Sequence, residues 1–448
     1  MKNLFGTDGV RGEANIYLTP ELAFKLGRIG SYVLTKNRVA KSNCIIIAQD
    51  TRLSGDMLSA AISAGICSLG VDVWNLGVIP TPVVAWIVRK FDALAGVMVS
   101  ASHNPAKDNG IKFFNHLGNK LDDSLELEIE KLIDNDNNEI PRANGTEVGK
   151  IYEKSDIITA YIDYIETIFD EPLNKYKVLL DTSNGANYSF APSMFDRLEI
   201  DYKVIHNSPD GRNINYKCGS THQKSLKETL LKEKFDIGFS YDGDADRLLA
   251  IDELGREVDG DEIMLICSKY SPKLDDNKVV VGTVMSNIGF EKSIKDMDKY
   301  FIRAKVGDRY VFEMIEKYDA KLGGEQSGHI ILPEYNSTGD GLLSSLVLLE
   351  AIHKSGKSLK ELKDEIQNEF FPQVLLNIHV NEKNLEKENI KNVIRIVESE
   401  LGENGRVLVR ASGTEPVVRV MVEGKEKEVV AKFANQIADV IRKELTFI

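Results

Sequence analysis

The sequence predicts an α/β protein with three similar domains, each built on a mixed or parallel sheet, followed by a small C-terminal α+β domain. Over most of the chain, short apolar runs alternate with segments of helical periodicity, which is typical of parallel sheets with crossover helices. Near the end, two strand-like runs are separated only by a turn, which favours antiparallel pairing. Polar, glycine-containing stretches suggest boundaries, and the expected domains are residues 1–150, 151–254, 255–370 and 371–448.

The first predicted domain opens with a helix start. Thr19–Glu21 supplies an N-cap, a proline at the first helical position and an acidic first turn, so we expect a helix to about Lys36. The apolar runs Cys44–Ala48 and Leu94–Val99 are predicted as buried strands, and Ser54 is predicted to cap the helix between them. Strand, helix and strand in this order indicate a βαβ unit.

The later domains continue this alternation. The predicted strands are Val178–Leu180, Lys203–Ile205, Ile237–Ser240, Leu248–Ile251, Val279–Val284, Phe301–Ala304 and His329–Leu332. The predicted helices among them are Lys224–Lys234 and one from Gly339 to about Lys354. In the last domain the order is strand, helix (Asn384–Leu401), two short strands (Val407–Arg410 and Val417–Val422) and a long helix.

Charge and hydropathy restrict the class of protein. The 448 residues include 56 Lys and Arg and 69 Asp and Glu, for a net charge of −13. This balance argues against nonspecific nucleic-acid binding, because no basic excess is there to neutralise a phosphate backbone. No apolar stretch is long enough for a membrane-spanning helix, and the N-terminus lacks a signal-peptide pattern. The four cysteines show no zinc spacing and are expected to be reduced, so we predict a cytoplasmic protein without nucleic-acid or membrane partners.

The segment Tyr241–Arg247, with the sequence YDGDADR, predicts a metal site. Its carboxylates, Asp242, Asp244 and Asp246, would repel one another unless a cation lay among them, and oxygen ligands suit a hard ion such as Mg2+. A solvated acidic turn is the alternative. A calcium EF-hand does not fit, because Arg247 stands at the loop position that needs glycine and a predicted strand follows.

A hydroxyl nucleophile is predicted in Ser100–Pro105, with the sequence SASHNP, directly after a predicted buried strand. Ligand chemistry in α/β proteins gathers at the carboxyl ends of strands. Ser102 beside His103 invites comparison with serine hydrolases, but the G-x-S-x-G motif is absent. A serine facing the metal site is instead suited to carry a phosphoryl group. An ordinary turn before Pro105 is the alternative.

Two further loops carry groups suited to a phosphorylated sugar. Gly323–His329, with the sequence GGEQSGH, offers a carboxylate and a hydroxyl for sugar hydroxyls, although a plain turn is nearly as well supported. Arg410–Pro416, with the sequence RASGTEP, combines with Arg419 to supply backbone N–H groups, two hydroxyls and two guanidiniums. That combination favours binding of a phosphate.

Together with the opening segment Leu4–Gly12 (LFGTDGVRG), these loops resemble the α-D-phosphohexomutase superfamily. The five motifs occur in that superfamily's order and at its spacings, and the resemblance covers essentially the whole chain. The sequence GEQSGH is similar to the corresponding segment of the bacterial phosphoglucosamine mutases. Ala411 stands where many members have proline, and because this neighbour donates no side-chain contact the departure changes little. The resemblance implies three domains of one α/β fold and a fourth domain around a central cleft.

The resemblance also assigns roles to residues. It implies that Ser102 is the phosphorylated serine and that Asp242, Asp244 and Asp246, with a phosphoserine oxygen, bind one Mg2+ per active site. The implied substrate contacts are Lys305, Glu325 and Ser327 for the sugar, and Arg410, Ser412, Gly413, Thr414 and Arg419 for the phosphate that is not transferred. The residues implied to line the cleft with catalytic roles are Arg11, His103, Lys112, Arg247 and His329, with Lys112 the first choice for proton transfer.

The implied reaction interconverts glucosamine 6-phosphate and glucosamine 1-phosphate, in the supply of UDP-N-acetylglucosamine for the cell wall. It proceeds through a phosphoserine and a 1,6-bisphosphate, and a hexose or hexosamine 1,6-bisphosphate is also the expected activator. The alternatives are a phosphoglucomutase or phosphomannomutase of the same superfamily, a metal-dependent phosphatase and a binding protein on the same scaffold. Intact Ser102 and three intact aspartates count against a binding protein. A homodimer and an activating kinase are left open as partners.

Overall fold

The fold consists of three mixed β-sheets with associated helices and one small antiparallel sheet, which confirms the predicted fold class. The computed structural model of the chain describes residues 4–6, 8–36, 40–134, 140–170, 172–367, 370–411 and 416–446. The chain forms two compact units, the first comprising Met1–Met285 and Lys299–Lys363 and the second Ser286–Asp298 and Asp364–Ile448. Among the described residues, no helix combines the length and the apolar character needed to cross a lipid bilayer.

The first sheet has six strands flanked by four helices. The strands are β1 (Val10–Glu13), β2 (Ser42–Gln49), β3 (Asp72–Val78), β4 (Ala93–Val99), β5 (Asp108–Phe114) and β6 (Ile151–Glu153). The helices are α1 (Pro20–Thr35), α2 (Gly55–Cys67), α3 (Thr81–Lys90) and α4 (Asp123–Asp134). The spatial order is β1-β5-β4-β2-β3-β6, with β2 parallel to β3 and β4 and with β5 antiparallel to both neighbours. Gln49 pairs with Val99, so the carboxyl ends of β2 and β4 lie side by side.

The starts of α1 and α2 test the predicted helix caps. The Thr19 hydroxyl accepts a hydrogen bond from the Leu22 backbone N–H, which confirms the predicted cap of α1. Helix α2 begins directly after Ser54, as predicted, but the Ser54 side chain does not cap it. Its hydroxyl instead accepts a hydrogen bond from Asn109 Nδ2 at 2.8 Å. The predicted side-chain cap is therefore wrong, because β5 offers Ser54 a competing partner.

The second sheet has five strands and three associated helices. The strands are β7 (Lys177–Asp181), β8 (Asp201–Ile205), β9 (Ile237–Tyr241), β10 (Leu248–Asp252) and β11 (Glu257–Val258). The helices are α5 (Thr159–Glu166), α6 (Phe190–Arg197) and α7 (Lys224–Glu233). The spatial order is β11-β10-β9-β7-β8, with β7 parallel to β8 and β9. Because β10 runs antiparallel to β9, the six residues that join them, which include the three aspartates, form a hairpin loop at the sheet end.

The third sheet has four strands. They are β12 (Val279–Thr283), β13 (Tyr300–Ala304), β14 (Leu322–Gly324) and β15 (Ile330–Ile331), in the spatial order β13-β12-β14-β15. The helices of this part of the chain are α8 (Gly260–Tyr270), α9 (Ile288–Asp296), α10 (Asp308–Tyr318), α11 (Gly341–Ser355) and α12 (Leu359–Ile366). The predicted strand His329–Leu332 is observed only as β15, which leaves His329 in the preceding loop.

The second unit is an antiparallel sheet packed on helices, which confirms the predicted α+β domain. Its strands are β16 (Gln373–His379), β17 (Gly405–Ala411) and β18 (Val417–Gly424), in the spatial order β16-β18-β17. Its helices are α13 (Glu388–Leu401) and α14 (Lys427–Leu445), together with α9. Apolar side chains of β18, α13 and α14 form a core of its own.

Two of the sheets include an edge strand that lies beyond the expected domain boundary. β6 begins just after residue 150 but pairs in parallel with β3 of the first sheet. β11 follows residue 254 but pairs with β10 of the second sheet. In both cases backbone hydrogen bonds extend a sheet beyond the polar segment that the sequence suggests as a boundary.

Candidate active site

Ser102 lies in the loop that follows β4. It is 1% exposed and has a left-handed backbone, with φ of +52°. Its N–H donates to Ser100 Oγ at 2.9 Å, and its hydroxyl donates to Asp242 Oδ2 at 2.5 Å. Asp242 belongs to the loop between β9 and β10, so loops from two different sheets meet at this hydrogen bond. A phosphoserine beside a metal site requires this juxtaposition.

The acidic loop, residues 242–247, turns tightly at the end of β9. Ala245 adopts the left-handed conformation with φ of +58°, and the Arg247 N–H donates to Asp242 Oδ1 at 3.2 Å. Asp242, Asp244 and Asp246 each offer an oxygen within 4.8 Å of the others. All three side chains are buried. The hairpin therefore concentrates three carboxylates in a small volume shielded from solvent.

These aspartates fit a hard divalent cation. Burial, and then the charges of Asp246 and Asp244, raise the pKa of Asp242 well above its usual range. Oδ1 of Asp244 and Oδ1 of Asp246 are buried and make no hydrogen bond within the described ranges. Buried oxygens without donors are costly, and a cation among them would offset that cost and the mutual repulsion. With the Ser102 hydroxyl, the cluster presents four oxygen ligands.

Lys112 places a positive charge against the acidic loop. It lies on β5, and its Nζ is 2.7 Å from Asp244 Oδ2, 3.1 Å from Asp8 Oδ2 and 3.5 Å from Asp246 Oδ2. Burial by itself lowers the pKa of this ammonium group, but the charges of the three carboxylates outweigh burial and raise it above its usual range. Lys112 therefore lies in direct contact with two of the predicted metal ligands, and its part in proton transfer stays a prediction.

A histidine lies beside the serine hydroxyl, and the charges of two arginines act on that histidine. His103 Nδ1 is 3.3 Å from Ser102 Oγ. Burial, and then the charges of Arg247 and Arg11, lower the pKa of His103 to about 4. Arg247 Nε lies 3.8 and 3.9 Å from oxygens of two of the aspartates, and Arg11 pairs with Asp8. An uncharged imidazole is therefore in contact with the hydroxyl at neutral pH.

The loop Gly323–His329 is fastened to the acidic loop. The Leu248 N–H donates to Gly328 O at 2.9 Å. A Cβ at Gly328, whose φ is +92°, would lie 2.1 Å from Leu248 O, so this close approach requires glycine. His329 is almost fully buried, and its Nδ1 lies 3.6 Å from Asp246 Oδ1. The structure thus brings together the two loops that the sequence singled out separately.

The three residues expected to contact the sugar differ in their surroundings. Glu325 Oε1 accepts a hydrogen bond from the Gly307 N–H at 3.0 Å, which connects its loop to the segment after β13. That segment also carries Lys305, which is exposed and has its Nζ 5.5 Å from the centre of the Tyr310 ring. Ser327 is exposed as well. Exposed groups on joined loops are accessible to a sugar.

Arg410 and Arg419 lie directly opposite each other on β17 and β18 of the second unit. Two guanidinium groups on facing positions are suited to contact the oxygens of one phosphate. The other predicted phosphate-binding residues, Ser412, Gly413 and Thr414, lie outside the described residues. The arginine pair therefore carries the structural case for a phosphate site.

Sequence reasoning missed several charged residues of the site. Asp50 and Arg52 follow β2 and contact the serine loop, which is the segment of residues 100–107 between β4 and β5. They could have been found, because they come directly after a predicted buried strand, where polar side chains gather for function. Lys120 pairs with both Asp8 and Asp308 and so joins the opening segment to α10. Asp8 stands in the opening motif, but no sequence signal marks Lys120 or Asp308.

A second cluster of metal-ligating residue types lies at the carboxyl ends of β7 and β8. One atom each of Asp181, His206 and Cys218 lies within 4.8 Å of the others. Both oxygens of Asp181 already accept backbone N–H groups, from Ser183 and Gly219, each at 2.9 Å. The contact of His206 Nδ1 with Asp181 Oδ1, at 3.0 Å, raises the pKa of His206, and burial raises the pKa of the Cys218 thiol to about 12. These features are typical of an ion pair that fixes loops.

Four family descriptions match successive parts of the chain. Phosphoglucomutase/phosphomannomutase alpha/beta/alpha domain I matches residues 2–139, domain II residues 159–255 and domain III residues 259–370. The C-terminal domain of the same family matches residues 375–440.

Similar proteins extend this match over the full length. The phosphoglucosamine mutase of Desulforamulus reducens is 48% identical over 446 residues, covering 98% of this chain and 99% of that protein. A solved phosphoglucomutase/phosphomannomutase family protein from Burkholderia thailandensis shares the fold, with a TM-score of 0.82 at 21% identity over 100% of both chains. So does the Aspergillus fumigatus N-acetylphosphoglucosamine mutase in complex with GlcNAc-6P and magnesium, with a TM-score of 0.70 at 18% identity over 99% of this chain and 96% of that one. Nearly half of all positions are thus shared with a full-length relative, and the chain belongs to the phosphoglucosamine mutase family of the phosphohexomutase superfamily.

Proposed function

We propose that this enzyme, an isomerase of the phosphohexomutase class, interconverts glucosamine 6-phosphate and glucosamine 1-phosphate through a phosphoserine at Ser102. The name of the Desulforamulus reducens relative supports the substrate. The observation that carries the chemistry is the hydrogen bond from Ser102 Oγ to Asp242 Oδ2, because it places a buried hydroxyl at the edge of an acidic cluster. The product would feed synthesis of UDP-N-acetylglucosamine and of peptidoglycan precursors.

Asp242, Asp244 and Asp246, together with an oxygen on Ser102, would hold one Mg2+ per active site. Their carboxylates supply the hard oxygens that this ion prefers, and the Aspergillus fumigatus enzyme was solved as a complex with magnesium. When bound, Mg2+ supplies positive charge that stabilises a phosphoryl group during its transfer. Lys112 adds a fixed ammonium charge to the same cluster.

The reaction consists of two phosphoryl transfers at one serine. In the first, the bond from phosphorus to Ser102 Oγ breaks while phosphorus bonds to O1 of glucosamine 6-phosphate, and the proton lost by O1 balances the one gained by Oγ. In the second, the 1,6-bisphosphate turns around, the bond from phosphorus to O6 breaks while phosphorus bonds to Ser102 Oγ, and the proton lost by Oγ balances the one gained by O6. An added hexose or hexosamine 1,6-bisphosphate would prime unphosphorylated enzyme by that second transfer.

His103 is suited to hold the proton at Ser102 Oγ, because it lies 3.3 Å away and is uncharged at neutral pH. Arg11 and Arg247 would stabilise the negative charge of the phosphoryl oxygens. His329 would hold the loop Gly323–His329 against the acidic loop.

We assign substrate contacts to residues of two kinds. Carboxylate, hydroxyl and ammonium groups on joined loops suit sugar hydroxyls, and paired guanidiniums suit the phosphate that is not transferred. The sugar contacts are Glu325, Ser327 and Lys305, and the phosphate contacts are Arg410, Ser412, Gly413, Thr414 and Arg419.

Replacing Arg410 with alanine is expected to lower kcat/KM for both glucosamine 6-phosphate and glucosamine 1-phosphate by about 10- to 100-fold. A charge-assisted hydrogen bond contributes about 1.5–3 kcal/mol, and the variant loses the bonds that this guanidinium makes to phosphate. Part of the loss should fall on kcat, because binding energy remote from the reacting atoms helps to orient them. Steady-state kinetics in both directions measure the change.

The matched control is Arg442→Ala, which removes an exposed arginine of the same unit that pairs with Asp439 on α14 at 2.7 Å. It should retain kcat/KM within about twofold of the parent, because exposed ion pairs contribute about 1 kcal/mol or less. If Arg410→Ala behaves like this control, the arginine pair does not bind substrate.

A coupled assay for glucosamine 1-phosphate, run with and without added glucose 1,6-bisphosphate, tests the proposed reaction. We expect turnover of glucosamine 6-phosphate that the bisphosphate stimulates. Faster conversion of glucose or mannose phosphates would instead identify a phosphoglucomutase or phosphomannomutase. Net release of inorganic phosphate without any 1-phosphate product would identify a phosphatase.

A cytoplasmic location, a homodimer and a kinase that primes Ser102 belong to the same proposal. All four cysteines, which lie within the described ranges, are free, as a reducing compartment requires. Light scattering of the purified enzyme tests the dimer. Phosphorylation of unprimed enzyme by a cell extract, mapped to Ser102, tests the kinase.

A further inference from the structure

Arg52 is a fully buried arginine that uses every N–H of its guanidinium group. Its Nη1 and Nη2 donate to four backbone carbonyls, three in the serine loop and one at the first residue of β5, at distances from 2.5 to 3.0 Å, and its Nε donates to Asp50 Oδ2 at 2.9 Å. The four carbonyls are those of Ser102, Asn104, Pro105 and Asp108. Five donors therefore meet five acceptors, which is the full capacity of an arginine side chain.

The same arginine acts on the amide side of Ser102 through Asp50. Asp50 Oδ2 accepts a hydrogen bond from Ser100 Oγ at 2.6 Å, and Ser100 Oγ accepts one from the Ser102 N–H at 2.9 Å. Asn215, from the second sheet domain, adds one more donor to the Ser102 carbonyl, at 2.8 Å. Both backbone groups of Ser102 are thus fixed, and the pair of Arg52 and Asp50 reaches both of them.

These hydrogen bonds stabilise an unfavourable backbone conformation at Ser102. A serine with φ of +52° lies in a region that residues with side chains adopt uncommonly, and it stays there only when its surroundings hold it. A change in this backbone angle would swing Oγ away from Asp242. Arg52 contacts the Ser102 backbone only, so its effect on the hydroxyl passes through the loop.

We propose that Arg52 is the positioning residue for phosphoryl transfer at Ser102, and that it acts equally in both half-reactions. This inference rests on the proposed phosphoserine function. A guanidinium is required, because lysine has three donors on one nitrogen and cannot reach acceptors spread around a planar fork. Displacement of a reacting group by about 1 Å is enough to slow a reaction about 100-fold.

The first test is Arg52→Lys, which retains the charge beside Asp50 and so retains a partner for that buried carboxylate. We expect kcat to fall about 100-fold in both directions while KM for each phosphosugar stays within about threefold, because the substrate contacts are untouched. Arg28→Lys is the matched control, since Arg28 is a buried arginine of the same domain that donates to the Ile140 carbonyl. It should keep the parent's kcat.

The second test is chemical rescue of Arg52→Ala. Guanidinium ion at non-denaturing, millimolar concentration should raise the kcat of this variant at least about tenfold, and ethylammonium should not, because only the planar ion reproduces the fork. Arg28→Ala should show no such rescue. If Arg52→Ala does not fold, the kcat of Arg52→Lys decides the question alone.

The outcomes separate positioning from mere stability. A lower melting temperature of Arg52→Lys with kcat within about threefold of the parent would reduce Arg52 to a structural residue and overturn the proposal. Turnover by Ser102→Ala would instead overturn the phosphoserine function itself. Inactive Ser102→Ala combined with normal Arg52 variants would remove only the positioning role.

Discussion

Alanine at position 102 is expected to abolish mutase turnover and leave the fold intact. The Ser102 hydroxyl is buried beside the acidic cluster, and alanine removes the oxygen that would carry the phosphoryl group. Without that oxygen neither half-reaction has an acceptor on the enzyme. The coupled assay should show no glucosamine 1-phosphate, and intact-mass analysis should show a species about 80 Da heavier in the parent that the variant lacks.

Two serine variants serve as controls for this result. Ser124→Ala, at an exposed position on α4, should keep both turnover and label. Ser100→Ala should keep the label while it slows turnover, because Ser100 Oγ supports the Ser102 N–H and carries no phosphoryl group. A label that maps to Ser100, or normal turnover by Ser102→Ala, would show that the nucleophile is assigned to the wrong residue.

Asparagine at position 244 is expected to lower both Mg2+ affinity and turnover, the latter by about 100- to 1000-fold. The change removes one negative charge from the cluster yet preserves the shape of a side chain that accepts hydrogen bonds from Thr81 and Lys112. Charge stabilisation by a bound metal contributes several kcal/mol to the transition state, and each 1.36 kcal/mol is a factor of ten in rate. Calorimetric titration with Mg2+ measures the affinity separately from turnover.

Asp163→Asn is the control for charge alone, since Asp163 is an exposed acid of the second sheet domain that pairs with Arg197. It should match the parent in affinity and in rate. Excess chelator should abolish turnover by the parent enzyme, and added Mg2+ should restore that turnover. Full activity in excess chelator would show that the aspartates do not act through a metal.

The sequence predicts those parts of the fold that local patterns specify. Continuous apolar runs such as Cys44–Ala48 predicted β2, and the proline and acid after Thr19 predicted α1. By contrast, β5 begins with Asp-Asn-Gly and carries a lysine, so its sequence resembles a loop. Antiparallel pairing with both β4 and β1 makes it a strand, and such long-range pairing leaves no local signal.

The candidate site divides in the same way. Ser102 and the three aspartates lie in short motifs, so their residue types and spacing alone predict a nucleophile and a metal site. Arg52 and Lys120 are single charged residues without a surrounding motif. Only the folded structure shows that Arg52 is buried and Lys120 partly buried, each among acceptors. Their roles depend on contacts between segments that are far apart in the chain.

The left-handed backbone at Ser102 has a consequence for which amino acids can serve as the nucleophile. Threonine has the same hydroxyl group, but a β-branched side chain is strongly disfavoured at φ of +52°. Cysteine carries no such branch but replaces a hard oxygen by a soft sulfur beside carboxylates suited to a hard ion. Backbone geometry and metal preference therefore exclude different substitutes, and among these hydroxyl- and thiol-bearing residues serine alone satisfies both.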